Sequence, residues 1–157
     1  MALLDRLRAE LETGGARMAG AHVRVRLPLR QGLIDGLLAH LPGVPAGLAV
    51  ALGPQLQVQV RYGGLHANAR IRPSATLRPR PELTVELASQ LVAWGLRTVA
   101  LPPFVRLDGR LVRVALDQGP LHALAPLWRH VRSLTFIPTT DGLEVDLEAR
   151  VDPEAPR

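Results

Sequence analysis

The sequence predicts an α+β fold: an antiparallel meander of β-hairpins forming a strongly twisted sheet, packed by three to four amphipathic helices. Three observations carry this. Residues 22–30 alternate apolar and polar side chains with a period of two, the mark of a half-buried strand. Two turns, Gly63-Gly64 and Asp141-Gly142, separate alternating runs whose pairing keeps both faces chemically consistent. Leucines recur at helical spacing in residues 3–12 and 31–41. The 157 residues suit one domain, and 47% hydrophobic against 21% charged residues is the balance of a globular chain rather than a disordered one.

Taken in order, Leu3, Leu7 and Leu11 form a stripe backed by Asp5, Arg6, Arg8, Glu10 and Glu12, and Gly14-Gly15 stops it, so residues 1–16 read as an amphipathic helix. In residues 22–30, Val23, Val25, Leu27 and Leu29 face one way, and His22, Arg24, Arg26 and Arg30 the other. Pro28 cannot donate to a ladder and marks an edge strand or a bend. Leu33, Ile34, Leu37, Leu38 and Leu41 then stripe a helix that Pro42-Gly43 ends, with Gly32 and Gly36 leaving room for another backbone.

Around Gly63-Gly64 the register sets Leu56 against Ile71, Val58 against Ala69 and Val60 against Ala67. The opposite face pairs Gln57 with Arg70, Gln59 with Asn68 and Arg61 with His66. Glu82 to Trp94 fits a helix by Leu83, Leu87, Leu91 and Trp94, yet residues 83–87 also alternate like a strand; a strand to about Leu87 followed by a helix through about Gly95 is the favoured reading. A turn at Asp108-Gly109 pairs Val105 with Val112. Residues 120–132 carry a helical stripe of Leu121, Leu124, Trp128 and Val131, kinked by Pro126. A turn at Asp141-Gly142 sets Phe136 against Leu147 and Leu134 against Ala149, and residues 152–157 read as a disordered tail.

No catalytic chemistry emerges. There is no cysteine, which removes thiolate ligands and nucleophiles together. His22, His40, His66, His122 and His130 have no metal-ligand spacing, and no serine elbow or phosphate-binding glycine loop is present. The expectation is a non-enzymatic protein without metal or cofactor. Charges interrupt the first apolar run after two leucines and no run reaches the ~18 residues of a membrane span, so the chain as written is expected in the cytoplasm.

The net charge of +5 is carried on the basic side by arginine alone and is unevenly placed. Residues 17–113 hold thirteen arginines against four acids, whereas residues 114–157 hold four against seven. Arg24 and Arg26, with Arg30, line the polar face of one strand; Arg61, Arg70 and Arg72 line the polar face of the first hairpin. If the two strands share a sheet, six guanidinium groups crowd one face. Glu144, Asp146 and Glu148 form the reverse, an acidic row.

Three readings of function follow. In the first, Leu33, Leu37, Val58, Val60, Ala67 and Ala69 line an apolar groove between sheet and helices that takes a lipid or other apolar ligand; the same faces also serve as a packed core. The order of elements, a strand leading into a helix (Val23 to Leu41), a meander, and a late helix returning to a hairpin (Leu121 to Val151), resembles the tubular lipid-binding (TULIP-like) domains of bacteria, and that resemblance implies lipid binding. In the second, Arg24, Arg26, Arg61, Arg70 and Arg72 dock the protein on an anionic membrane or protein surface. Nucleic acid is disfavoured because 3% aromatic content provides few stacking platforms. In the third, the chain self-assembles as a homo-oligomer through edge strands or opposed charge rows.

Overall fold

The computed structural model describes residues 20–40, 44, 46–98, 100–119, 122 and 125–152, the side chain of Leu37 apart. The predicted N-terminal helix, Leu41, Leu121, Leu124 and residues 153–157 of the tail lie outside the described residues. The chain runs β1 (His22–Arg30), α1 (Gln31–His40), β2 (Ala49–Leu52), β3 (Gln57–Tyr62), β4 (Leu65–Ile71), β5 (Glu82–Leu87), α2 (Gln90–Leu96), β6 (Val105–Asp108), β7 (Leu111–Ala115), α3 (Ala125–Trp128), β8 (Val131–Thr139) and β9 (Gly142–Arg150).

The α+β class and antiparallel pairing hold, but the strands divide into two sheets. One has the order β1-β9-β8 and the other β2-β3-β4-β5-β7-β6. The basic strand β1 and the hairpin β3-β4 therefore lie in different sheets, and their six arginines do not share a face. The described helices number three and are short, of ten, seven and four residues. The helix expected over 120–132 is a single turn among the described residues, and Val131 opens β8. Pro126 and the β-branched Val131 both work against continuing that helix.

The first hairpin has the predicted register: Val58 opposes Ala69, Val60 opposes Ala67 and Arg61 opposes His66. Its turn uses Gly63 and Gly64, both at positive φ (54° and 82°), the conformation that matches the twist of the flanking strands. Two other hairpins are shifted by two residues. Phe136 opposes Val145 and Leu134 opposes Leu147, because Thr140 and Asp141 make the turn and Gly142 already belongs to β9. Val105 opposes Val114, with Gly109 and Arg110 as the turn. A shift of two keeps every side chain on its expected face, so hydrophobic alternation does not discriminate between these registers.

The sheets meet over one core. Val58, Ala69, Ile71 and Leu87 of the large sheet pack with Leu134, Phe136 and Leu143 of the small one. Between the sheets, Pro54–Leu56 forms a tight turn with Gln55 (φ 53°) and Leu56 (φ 63°) in the left-handed region, and Leu56 is buried. Such a residue costs roughly 1–2 kcal/mol, which burial of the Leu56 side chain offsets at about 1.5–3 kcal/mol. The segment after β4 ties the sheets further: Ala75 N–H donates to the Leu134 carbonyl (3.0 Å) and Phe136 N–H to the Pro73 carbonyl (2.7 Å).

The edges are managed by named side chains. The amide of Gln31 accepts from Leu52 N–H (2.8 Å) and donates to the Val50 carbonyl (2.7 Å), so it covers β2 as a one-residue strand would. Pro28 sits on β1, the edge of the small sheet, as its missing donor requires. Val151 N–H donates to the Ala21 carbonyl, so backbone groups of odd-numbered β1 residues point to β9 and those of Pro28 point away. Gly32 and Gly36 meet no other backbone; the space beside both is open.

Candidate functional site

The two arginine groups have opposite electrostatic surroundings, and strand pairing produces the difference. Register places Arg24 against Glu148, Arg26 against Asp146 and Pro28 against Glu144, so the acidic row of β9 runs beside the basic row of β1 on one face. Arg24 grips Asp146 with two hydrogen bonds, Nε to Oδ1 at 2.9 Å and Nη2 to Oδ2 at 2.5 Å. Arg26 Nε lies 3.3 Å from Asp146 and 3.9 Å from Glu144, and His22 lies 2.7 Å from Glu148. The acidic row thus complements the basic row inside one chain. Arg24 and Arg26 are neutralised where they stand.

Asp146 is the centre of this lattice. It is only 5% exposed. The hydrogen bond from Arg24 holds its carboxyl below the usual carboxylate range; burial opposes this, and the charges of Arg24 and Arg26 add to it. A depressed native pKa contributes stability that is present above the unfolded value, about 4, and is lost as pH falls toward the native one. Asp146→Asn is therefore expected to be less stable than wild type at pH 7. The gap should close as pH is lowered from about 5 through the carboxylate range. Urea midpoints across that range check it, and a gap independent of pH would show that the pair has no such role.

The polar face of the large sheet is different. Reading across its strands, Arg61, His66, Gln57, Gln59, Asn68, Arg70 and Arg72 share it with Glu82, Thr84, Glu86, Arg106, Asp108 and Arg113. Arg106 holds Glu82 at 2.5 Å, Arg113 bridges Glu82 (3.7 Å) and Asp108 (3.3 Å), and Arg110 reaches Glu86 at 3.3 Å. Three arginines thereby take up the three carboxylates. Arg61 and Arg72 have no ion pair among the described residues, and both are exposed. Arg70 has none either, but it is oriented: its Nε donates to the Gln55 carbonyl (3.2 Å) and its Nη2 to Gln55 Oε1 (3.3 Å). The left-handed turn that joins the sheets thus positions a guanidinium outside ion-pair distance of Glu86, its neighbour on β5.

Two clefts flank this region. The first, about 770 Å³, opens on the polar face among Gln57, Gln59, Asn68, Arg70, Glu86 and Arg110. The second, about 530 Å³, lies at the seam of the sheets, lined by Leu56, Ile71, Phe136 and Pro138 together with Arg70, Arg72 and Glu86.

The predicted apolar groove residues are dispersed. Val58 and Ala69 are buried in the core and contribute to the wall of the first cleft; Val60 and Ala67 are half-buried opposite one another. Leu33 is exposed on α1, and the Leu37 side chain lies outside the described residues. Leu33, Val60 and Ala67 line neither cleft. Sequence reading missed the roles of Arg106, Arg110 and Arg113. Their signal was the mixed face of the β6-β7 hairpin, where arginine alternates with aliphatic residues.

Among the described residues no group of His, Asp and Glu side chains is arranged to hold a metal ion, and no helix is long and apolar enough to cross a membrane. Comparison of the chain with protein-family models, curated proteins and solved structures finds no match.

Proposed function

We propose that the protein is a non-enzymatic module that docks on an anionic membrane surface through the polar face of its six-stranded sheet. The observation that carries this reading is the surplus of Arg61, Arg70 and Arg72, for which no carboxylate partner lies within ion-pair distance among the described residues. Each arginine held near an anionic leaflet contributes about 1 kcal/mol, so three suffice for reversible association without insertion. Arg24 and Arg26 take no part, because withdrawing them would leave Asp146 buried without its counter-charge.

Sedimentation with vesicles tests this. Wild-type protein should pellet with vesicles rich in phosphatidylglycerol and stay in solution with phosphatidylcholine alone. Salt should release it, since the screening length falls from about 10 Å at 0.1 M to about 3 Å at 1 M. Failure to bind anionic vesicles at low salt rules the reading out.

A second reading is supported by the seam cleft. Its apolar residues Leu56, Ile71 and Phe136 suit a single acyl chain and its two arginines, against one carboxylate of Glu86, suit an anionic head, which is also what the TULIP-like order of elements implies. Native mass spectrometry would then detect one lipid per chain, and an unliganded mass dismisses this reading.

A further inference from the structure

We propose that the first cleft receives the hydroxyl-rich headgroup of an anionic phospholipid, so that the docking face selects among anionic lipids; this rests on the membrane reading above. The cleft lies on the docking face itself. Along β3 the side chains of Gln57, Gln59 and Arg61 share that face, and their cross-strand partners on β4 are Arg70, Asn68 and His66. Arg61 and Arg70 therefore stand four residues apart in register, about 13 Å along the strands. The amides of Gln59 and Asn68 fill the interval and that of Gln57 stands beside Arg70; all three line the cleft. Their row is kept open by short neighbours. Ala51 opposes Gln59 from β2, and Ala88 N–H donates to the Asn68 carbonyl (2.9 Å) from the other side.

Hydrogen-bonding capacity and charge select the occupant. The side chains of Gln57, Gln59 and Asn68 are exposed, and none has a hydrogen-bond partner among the described residues. Each amide both donates and accepts without carrying charge, as a hydroxyl does, so neutral hydroxyls match it group for group. An ammonium there would meet Arg61 and Arg70 instead. The phosphate has its own partner in Arg70. Two of the five N–H donors of that guanidinium go to Gln55, leaving three for phosphate oxygens. Glu86, the one carboxylate lining the cleft, is paired with Arg110 at 3.3 Å. A volume of about 770 Å³ is within the usual ~300–1,000 Å³ of small-molecule sites.

Two anionic lipids of equal net charge test the selection. Phosphatidylcholine vesicles carrying the same fraction of phosphatidylinositol or of phosphatidylserine differ only in headgroup: a ring of hydroxyls in one, an ammonium and a carboxylate in the other. Wild type should bind the phosphatidylinositol vesicles about tenfold more tightly, the effect of one or two net hydrogen bonds. Gln57→Ala/Gln59→Ala/Asn68→Ala should erase that preference. It should leave the affinity for phosphatidylserine and the unfolding midpoint unchanged, because all three side chains are exposed. Wild type that binds both vesicles equally, or prefers phosphatidylserine, overturns the headgroup site and leaves docking intact. A preference that survives in the triple variant also overturns the site. Wild type that binds neither vesicle at low salt overturns both site and docking.

Discussion

Gly142→Ala should lower the stability of the fold by roughly 3 kcal/mol or more, among the largest effects of any single methyl group in this chain. A Cβ at this position would stand 2.4 Å from the Leu29 carbonyl oxygen, and the backbone φ of 152° lies in a region that side chains rarely occupy. The obstacle is backbone, so no rotamer change relieves it. Leu29 pairs with Leu143, and Gly142 closes the ladder opposite Arg30, so the clash is relieved only by parting the ends of β1 and β9. That separation would draw on the Leu143 side chain, one of the most buried of the core at 3%. Urea unfolding followed by far-ultraviolet circular dichroism measures the loss; a change below about 0.5 kcal/mol, the range of neutral surface substitutions, would refute this account of the hairpin.

The same glycine shows where the sequence was legible and where it was not. The alternation of residues 22–30 marks β1 as a strand, but Val23, Val25 and Leu27 stay exposed on it rather than forming the half-buried face expected. The double-glycine turn determines strand extents and faces, because burying Val58 and Ala69 punishes a shift of one residue. A shift of two changes no face. Asp141-Gly142 and Asp108-Gly109 look like two-residue turns, but in both hairpins the observed turn sits one residue away. What decides the first is the third strand: β1 approaches Gly142 so closely that it must be a strand residue. That contact spans more than a hundred residues and has no local signature.

The charge was legible in composition and hidden in partnership. Two basic rows and one acidic row follow from alternation alone, yet which rows meet depends on sheet membership. Residues 31–141 separate β1 from β9, and their pairing cancels Arg24 and Arg26 against Asp146 and Glu144. In the hairpin Arg61 meets His66 and Arg70 meets Gln57, while on its other side Arg70 stands across from Glu86, which pairs with Arg110 instead. Likewise alternation leaves Val58 and Ala69 open to groove or core, with core the favoured use, and in the structure both are buried with Leu134 and Phe136 of the second sheet.

The central claim is that placement, not net charge, directs this protein to an anionic surface. Its most direct measurement compares the affinity of two variants for phosphatidylglycerol vesicles at low salt. Arg61→Gln/Arg70→Gln/Arg72→Gln removes three exposed arginines without a carboxylate partner, worth about 3 kcal/mol of attraction together. Arg132→Gln/Arg150→Gln removes two that already pair with Asp152. The triple variant should bind about 100-fold more weakly. The double variant should stay within about threefold of wild type, consistent with the small worth of exposed pairs. Both should keep the wild-type unfolding midpoint. Triple and double variants that weaken binding in simple proportion to the charge removed would contradict the claim, as would a triple variant that binds like wild type.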